Sequence, residues 1–400
     1  MLDFSDHRNQ IMAYDLGHIE EHSPGLIHWH ANGVKVLRKL EDFVLGLHQQ
    51  YDYQEVRSPA LLSKSLWEKS GHWDKYQDLM FVAQMDENEA YAIKPMSCPG
   101  HIGIYQQKRR SYRELPFALF EFGHVHRYES SGSLSGWMRL RGFVQDDSHV
   151  LCAPDQIDHV ISQFVEMVQK AYLAFGFEKW NWQISLRPEK RAGDDALWDQ
   201  AENALRQACQ RLGIDAKEVE GEGAFYGPKL EASLVDRLGR SWQCGVAQVD
   251  FVLPGRFDLS YQNAEGKSAE PVMIHHAVLG SLERWLSIVM EHHQKLPQWL
   301  SPHAVAILPI SIKQEEEALH LAKQLRRKGI EASVFSEGPL GGRVRDAKDH
   351  LYAHIAVLGN QEIEKQSISV RKEDGSSEVL LQSEWIDQLV EQLRSPASQR

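Results

Sequence analysis

Apolar residues recur three and four positions apart through residues 34–50, VKVLRKLEDFVLGLHQQ, so they share one face of a helix. YQEVRSPAL then reads as a short strand ending at Pro59, whose missing N–H cannot extend a ladder. Between residues 117 and 152, FALFEFGHVHRYES and MRLRGFVQDDSHVLC are strand-like, and the turn-rich SSGSLSGW joins them. That pattern predicts a long antiparallel hairpin. Helical periodicity returns over 155–175 and 194–213. LEASLVDRLGRSWQCGVAQVDFVL alternates like two further paired strands, and GSLERWLSIVMEHHQ reads as a helix.

The rhythm changes after LPQWLSPHAV, where Pro297 and Pro302 flank a short apolar patch. HAVAILPI, IEASVFS and HIAVLGN read as short strands. QEEEALHLAKQLRRKG, closed by Gly329, and GGRVRDAKDHLYA read as the helices between them. Strands alternating with helices predict a small α/β domain with a parallel or mixed sheet. The pattern divides the chain into residues 1–298 and 299–400.

Charged residues make up 25% and hydrophobic residues 42% of the 400, as in ordinary soluble globular proteins. No apolar run approaches the roughly 18 residues of a membrane span, and MLDFSDHRNQ is too polar for a signal peptide. Cys98, Cys152, Cys209 and Cys244 form no CxxC pair, which suits a reducing, cytoplasmic setting. The net charge of −12 argues against broad nonspecific nucleic-acid binding, and no DNA partner is expected, but it does not exclude RNA held along a local basic stripe.

Three distant residues then draw attention: Cys98 in IKPMSCPGH, His149 in RGFVQDDSH and His275 in PVMIHHAVLGS. One thiolate and two imidazoles are borderline-soft ligands, and three protein ligands leave zinc a position for substrate. In a chain with 20 histidines the types alone do not decide this, and buried core residues would read the same. Arg127 and Arg284 pose a similar choice between a bidentate phosphate fork and an ordinary surface ion pair.

Longer stretches carry a resemblance. EFGHVHRYESSGSLSGWMRLRGFVQDDSH resembles motif 2 of class II aminoacyl-tRNA synthetases, and HHAVLGSLERW resembles motif 3. HANGVKVLRKLEDFVLGLHQQYDYQEVRSP is similar to motif 1, the dimer-forming helix and strand. DHR, LWEKSGHWDKY, IKPMSCPGH, RPEKRAG, GEGAFYGPK and QCGVAQVDF resemble the threonyl branch of that family. The resemblance implies an α+β class II synthetase catalytic domain, an antiparallel sheet with flanking helices, followed by a C-terminal α/β anticodon-binding domain. It implies a homodimer with no membrane association, which activates threonine with ATP and passes it to tRNA. A threonine-activating paralogue that loads a carrier protein is the alternative.

Residue by residue, the resemblance implies that Arg127 grips the α-phosphate of ATP and Arg284 the γ-phosphate. Glu129 contacts adenine, Phe143 stacks on it, and Arg139 and Gln243 position phosphate and ribose. Mg²⁺ accompanies ATP. Cys98, His149 and His275 hold one Zn²⁺ per chain, which takes the amino group and hydroxyl of threonine. Asp147 accepts the hydroxyl proton, and Met96, Gln145, Tyr226 and Gln248 line the pocket. His72 assists transfer to tRNA, Lys229 adds positive charge nearby, and Arg343, Glu362 and Arg371 meet the anticodon.

The sequence also departs from the family. The catalytic region starts almost at Met1, so the family's ubiquitin-like and serine-editing domains are expected to be absent. His276 replaces a usual Arg and Val246 a usual Thr, both near the expected site. In ISVRKEDG, Glu373 and Asp374 stand where basic residues are usual. From Ser301 onward there are 13 Lys+Arg and 15 Asp+Glu, so weakened tRNA binding is expected.

Overall fold

The computed structural model describes residues 3–86, 89–237, 239–372 and 374–396. The chain divides into two compact units, one of residues 19–26 and 44–288, the other of residues 1–18, 27–43 and 289–400.

The larger unit is built on an eight-stranded sheet. Its order is Ala216–Val219, Trp180–Ser185, Lys229–Val235, Ser241–Asp250, Val272–Ala277, Gly142–Cys152, Phe117–His126 and Gln54–Glu55. Every pairing is antiparallel except the outermost one at each edge. The long hairpin expected over 117–152 is its centre, with Leu119 opposite His149 and Gly123 opposite Gln145. Helices Ile157–Ala174 and Asp195–Arg211 cover one face. Val160, Ile161, Phe164, Val168 and Tyr172 of the first are fully buried, each worth about 1.5–3 kcal/mol over an exposed position. The opposite face carries the polar residues of the site.

The strand expected over YQEVRSPAL shrinks to Gln54–Glu55. Two small three-stranded sheets, one formed by Leu61–Ser63, Ala90–Ile93 and Val82–Gln84, were not visible in the sequence pattern. Their strands of two to four residues are too short to show a period.

The smaller unit holds a mixed five-stranded sheet. Ala332–Val334, Val305–Pro309 and His354–Leu358 run parallel, and Ser367–Arg371 and Ser377–Leu381 extend it antiparallel. Both faces of Val305–Pro309 are covered: Val305 and Ile307 pack with Leu321, Leu325 and Trp385, while Ala306 and Leu308 pack with Val344 and Ala347. That double burial explains the continuous apolar run HAVAILPI. Helix Glu315–Arg327 opens on three glutamates and closes on two arginines, matching its dipole. Among the described residues no helix is long and apolar enough to cross a membrane.

Candidate functional site

Strand register assembles the site. Lys229 lies opposite Gln248, Gln248 opposite His275, and His275 opposite His149, one row across four strands. Residues two apart on a strand share a face, so Gln145 and Asp147 stand beside His149. Cys98 joins them from the first turn of helix Cys98–Tyr105. Two cavities open along this face. One, about 190 Å³, is lined by Arg127, Glu129, Arg139, Phe143, Gln243, Gly280, Ser281 and Arg284 among others. The second, about 210 Å³, is lined by Met96, Cys98, Asp147, His149, Tyr226, Gln248 and His275. Arg127, Gln145, Gln243 and Val246 line both, so the two form one continuous depression. Every residue expected at ATP lines the first cavity, and every residue expected at threonine or zinc lines the second.

The first cavity is cationic. The Arg127 guanidinium is held by the Pro95 carbonyl at 3.1 Å and lies 5.3 Å from the Phe143 ring centre. Arg284 donates to the Met138 carbonyl at 2.8 Å. Burial pulls the Arg284 pKa below its ordinary value, and Arg139 and Arg127 add repulsion. An anion entering the cavity would relieve both effects. Arg139 pairs with Glu129 at 3.0 Å. Gln243 donates to the buried carboxylate Glu231, which also takes Lys229 at 2.7 Å and the Ser185 hydroxyl at 2.5 Å. Glu231 was not singled out from sequence, where it reads as one polar position in LEASLV.

In the second cavity the ligand atoms of Cys98, His149 and His275 lie within 4.8 Å of one another, and all three residues are buried. His149 Nε2 and His275 Nδ1 have no hydrogen-bond partner. Buried polar atoms are rarely left so, and two unpartnered imidazole nitrogens in a cluster with a buried thiol form a donor set that suits zinc. Asp147 accepts from the Ser97 N–H at 2.9 Å, and its other oxygen lies 3.7 Å from His149 Nε2. Burial raises the pKa of the Asp147 carboxyl and the Cys98 thiol. Tyr226 donates to the Gln248 side-chain oxygen at 2.5 Å.

Some expected residues sit elsewhere. His72 is fully buried beneath the site, among the Trp67, Tyr76, Phe225 and Tyr226 rings, with Nδ1 2.8 Å from the Ser70 hydroxyl. Burial takes its pKa to about 3, so the ring is neutral. The side chain of His276 faces away from the substrate side. Strand alternation turns it to the helix-covered face, where it meets the Tyr53 hydroxyl at 2.7 Å and the Phe164 ring. The Arg343 guanidinium is buried and donates to the carbonyls of Pro309, Phe335 and Ile310, which clamps it between strand and loop. Glu362 caps the Gly359 N–H at 3.0 Å. Arg371 lines a cavity of about 290 Å³ with Lys295, Lys348 and Lys372. Glu373 lies outside the described residues.

Asp146 was also missed. Its carboxylate accepts the N–H groups of Val278, Leu279 and Gly280 at 2.8–2.9 Å, fixing the turn that leads to Arg284.

Comparison with known proteins agrees with this geometry. Residues 81–293 match the tRNA synthetase class II core domain (G, H, P, S and T), and residues 304–395 match an anticodon binding domain. The chain is 45% identical over 372 residues to a threonine–tRNA ligase of Legionella pneumophila (strain Corby), covering 92% of this chain and 58% of that one. It is 43% identical over 393 residues to a threonine–tRNA ligase of Alkalilimnicola ehrlichii, covering 98% of this chain. It therefore spans about three fifths of the length of these curated relatives. A crystal structure of the RNA binding domain of threonyl-tRNA synthetase from Cryptosporidium parvum Iowa II superposes with a TM-score of 0.90 at 35% identity, covering 97% of this chain and 98% of that one. A putative threonyl-tRNA synthetase from Aeropyrum pernix gives 0.85 at 28% identity, covering 98% of this chain and 97% of that one.

Proposed function

Because the chain belongs to the class II tRNA synthetases, and among them to the threonyl-tRNA synthetases, we propose that it joins threonine to ATP as threonyl-adenylate and passes threonine to tRNA. The observation that carries this reading is the continuity of a cationic cavity with a Cys/His/His cluster through Arg127, Gln145, Gln243 and Val246. ATP, with Mg²⁺, occupies the first cavity: Arg127 and Arg284 take phosphates, Phe143 supports the adenine ring, and Glu129 contacts its edge. Arg139 leaves Glu129 to do its part, since their ion pair is half exposed and weak. The reaction is an in-line attack on the α-phosphate, so positioning and charge are the protein's main contributions.

Threonine occupies the second cavity. Cys98, His149 and His275 fit a zinc ion, with two bare imidazole nitrogens and a thiol converging. When bound, zinc would supply open positions for the amino group and hydroxyl of threonine. Asp147, fixed by Ser97, stands ready to accept the hydroxyl proton, and Tyr226 and Gln248 complete the wall. A zinc-binding Cys98 must stay reduced, which suits a cytoplasmic setting. His72, neutral and behind Tyr226, orients the pocket's aromatic floor during transfer to tRNA. Pairing through the motif 1 segment would make the working form a homodimer.

The test is metal analysis of protein purified without chelators, together with threonine-dependent ATP–pyrophosphate exchange. One zinc per chain and exchange that is lost in Cys98→Ser are expected. A zinc-free wild type, or full exchange in Cys98→Ser, overturns the assignment.

A further inference from the structure

Behind the zinc site, and resting on that reading of it, lies a chain of buried polar groups that no step above uses. His149 Nδ1 is 2.8 Å from His101 Nδ1. His101 Nε2 is 3.1 Å from Glu121 Oε2. The Glu121 carboxylate also takes the Ser58 N–H at 3.0 Å, the Ser58 hydroxyl at 2.8 Å and the Lys94 ammonium. Lys94, His101, Glu121 and His149 are all at most 3% exposed. On the other side, His275 Nε2 is 2.8 Å from Asp250 Oδ2. Asp250 is fully buried, and its Oδ1 takes the N–H groups of Val252 and Leu253 at 2.7 and 2.9 Å.

These contacts have one consistent direction. An ionised carboxylate only accepts, so His101 must donate through Nε2 to Glu121. With its one ring proton directed to Glu121, His101 presents His149 with a bare Nδ1, which can only accept. His149 must therefore carry its proton on Nδ1 and present a bare Nε2. The same reasoning applied to Asp250 puts the His275 proton on Nε2 and leaves Nδ1 bare. The two nitrogens so exposed are the two that lack a hydrogen-bond partner, in the cluster that includes the Cys98 thiol.

We propose that His101, Glu121 and Asp250 are positioning residues which lock His149 and His275, before any metal arrives, in the two opposite tautomers that zinc ligation requires. The opposite choice in either ring would aim an N–H at the metal position. Lys94 and Ser58 hold Glu121 in its accepting form by donating to it. Outer partners of this kind commonly change metal affinity about 10–100-fold when removed.

Glutamine at position 101 offers an oxygen to accept from His149 and an amide N–H to donate to Glu121, whereas leucine offers neither. His101→Leu should therefore lower zinc affinity about 10–100-fold in chelator competition, and His101→Gln should recover most of it. A residue that merely filled space would show the reverse, with leucine tolerated as well as glutamine. The second measurement needs no variant: long-range ¹H–¹⁵N correlation on histidine-labelled, chelator-stripped wild type. His149 should appear as the Nδ1–H tautomer and His275 as the Nε2–H tautomer. A mixture at either ring, or wild-type zinc affinity in His101→Leu, overturns the inference. A wild type that never holds zinc would instead sink the zinc assignment, and the tautomers of the metal-free chain would still decide this one.

Discussion

Arg284 illustrates what a single residue gave away and what it withheld. Its residue type left a choice between phosphate and a surface ion pair, the motif 3 resemblance implied a phosphate, and the structure adds a part-buried guanidinium with one carbonyl partner and other arginines nearby. A hydrogen bond to a charged group is worth about 1.5–3 kcal/mol, so Arg284→Lys, which loses the planar fork, should reduce kcat/KM for ATP roughly ten- to a hundredfold. Unchanged exchange kinetics would remove Arg284 from the phosphate site. Adjacent residues show the limit of such reading: His275 and His276 are neighbours in the chain and lie on opposite faces of the sheet. His101, Glu121 and Asp250 were illegible because their meaning lies in contacts across 20 to 48 positions. Glu121 also makes a pH prediction. Burial alone would raise its pKa, but His101, Lys94 and Ser58 outweigh burial and take it from 4.5 down to about 2. A depressed acid stabilises the fold above about pH 4.5, and that contribution, of order 3 kcal/mol, is lost as pH falls toward 2. The thermal midpoint of the wild type should drop more steeply between about pH 5 and pH 3 than that of Glu121→Gln. Parallel curves would show that the carboxylate does not carry the effect.

At the scale of elements, the hairpin Phe117–His126/Gly142–Cys152 was legible because strand-like runs and a turn-rich joint agreed. The strand Val272–Ala277, which carries His275, was not, because all six residues are buried and no alternation survives. Between that strand and the helix Leu282–His293, the turn at Val278–Gly280 depends on Asp146. Asn at this position keeps an oxygen but places an NH₂ against backbone donors. Asp146→Asn should therefore lower stability by about 2–3 kcal/mol, and it should raise the KM for ATP because Arg284 follows the turn. Melting and exchange kinetics read the two effects together. Wild-type values in both would show that the turn holds itself. The Ser367–Arg371 strand offers a separate test. Arg371→Ala should weaken tRNA charging at low tRNA concentration while leaving ATP–pyrophosphate exchange intact, and equal charging would take this strand out of RNA recognition.

For the whole molecule, periodicity found two bodies but not their membership. Residues 1–18 and 27–43 group with the C-terminal sheet through bonds such as Asn32 to His303 at 3.0 Å and Lys35 to Glu331 at 2.6 Å. No local pattern reports a partner nearly 300 positions away. On the proposed function, substrate choice belongs to this scale as well, because it would sum the metal position, Asp147 and the walls of the second cavity. Valine matches threonine in shape but lacks a hydroxyl, so it would leave Asp147 and one ligand position unsatisfied. A site built to bind a hydroxyl rejects such an analogue by about 10⁴–10⁵. Serine keeps the amino group and hydroxyl and lacks only a methyl, for which a pocket gains about 1–3 kcal/mol, or 10–200-fold. These 400 residues, purified and supplied with tRNA, should accordingly form Ser-tRNA when serine is in excess and form no measurable Val-tRNA. Mischarging assays with the two amino acids at equal concentration separate the cases. Serine excluded as fully as valine would require a methyl-sensing contact beyond Tyr226, Val246 and Gln248, and rapid loss of preformed Ser-tRNA on adding this chain alone would reveal a hydrolytic site within it.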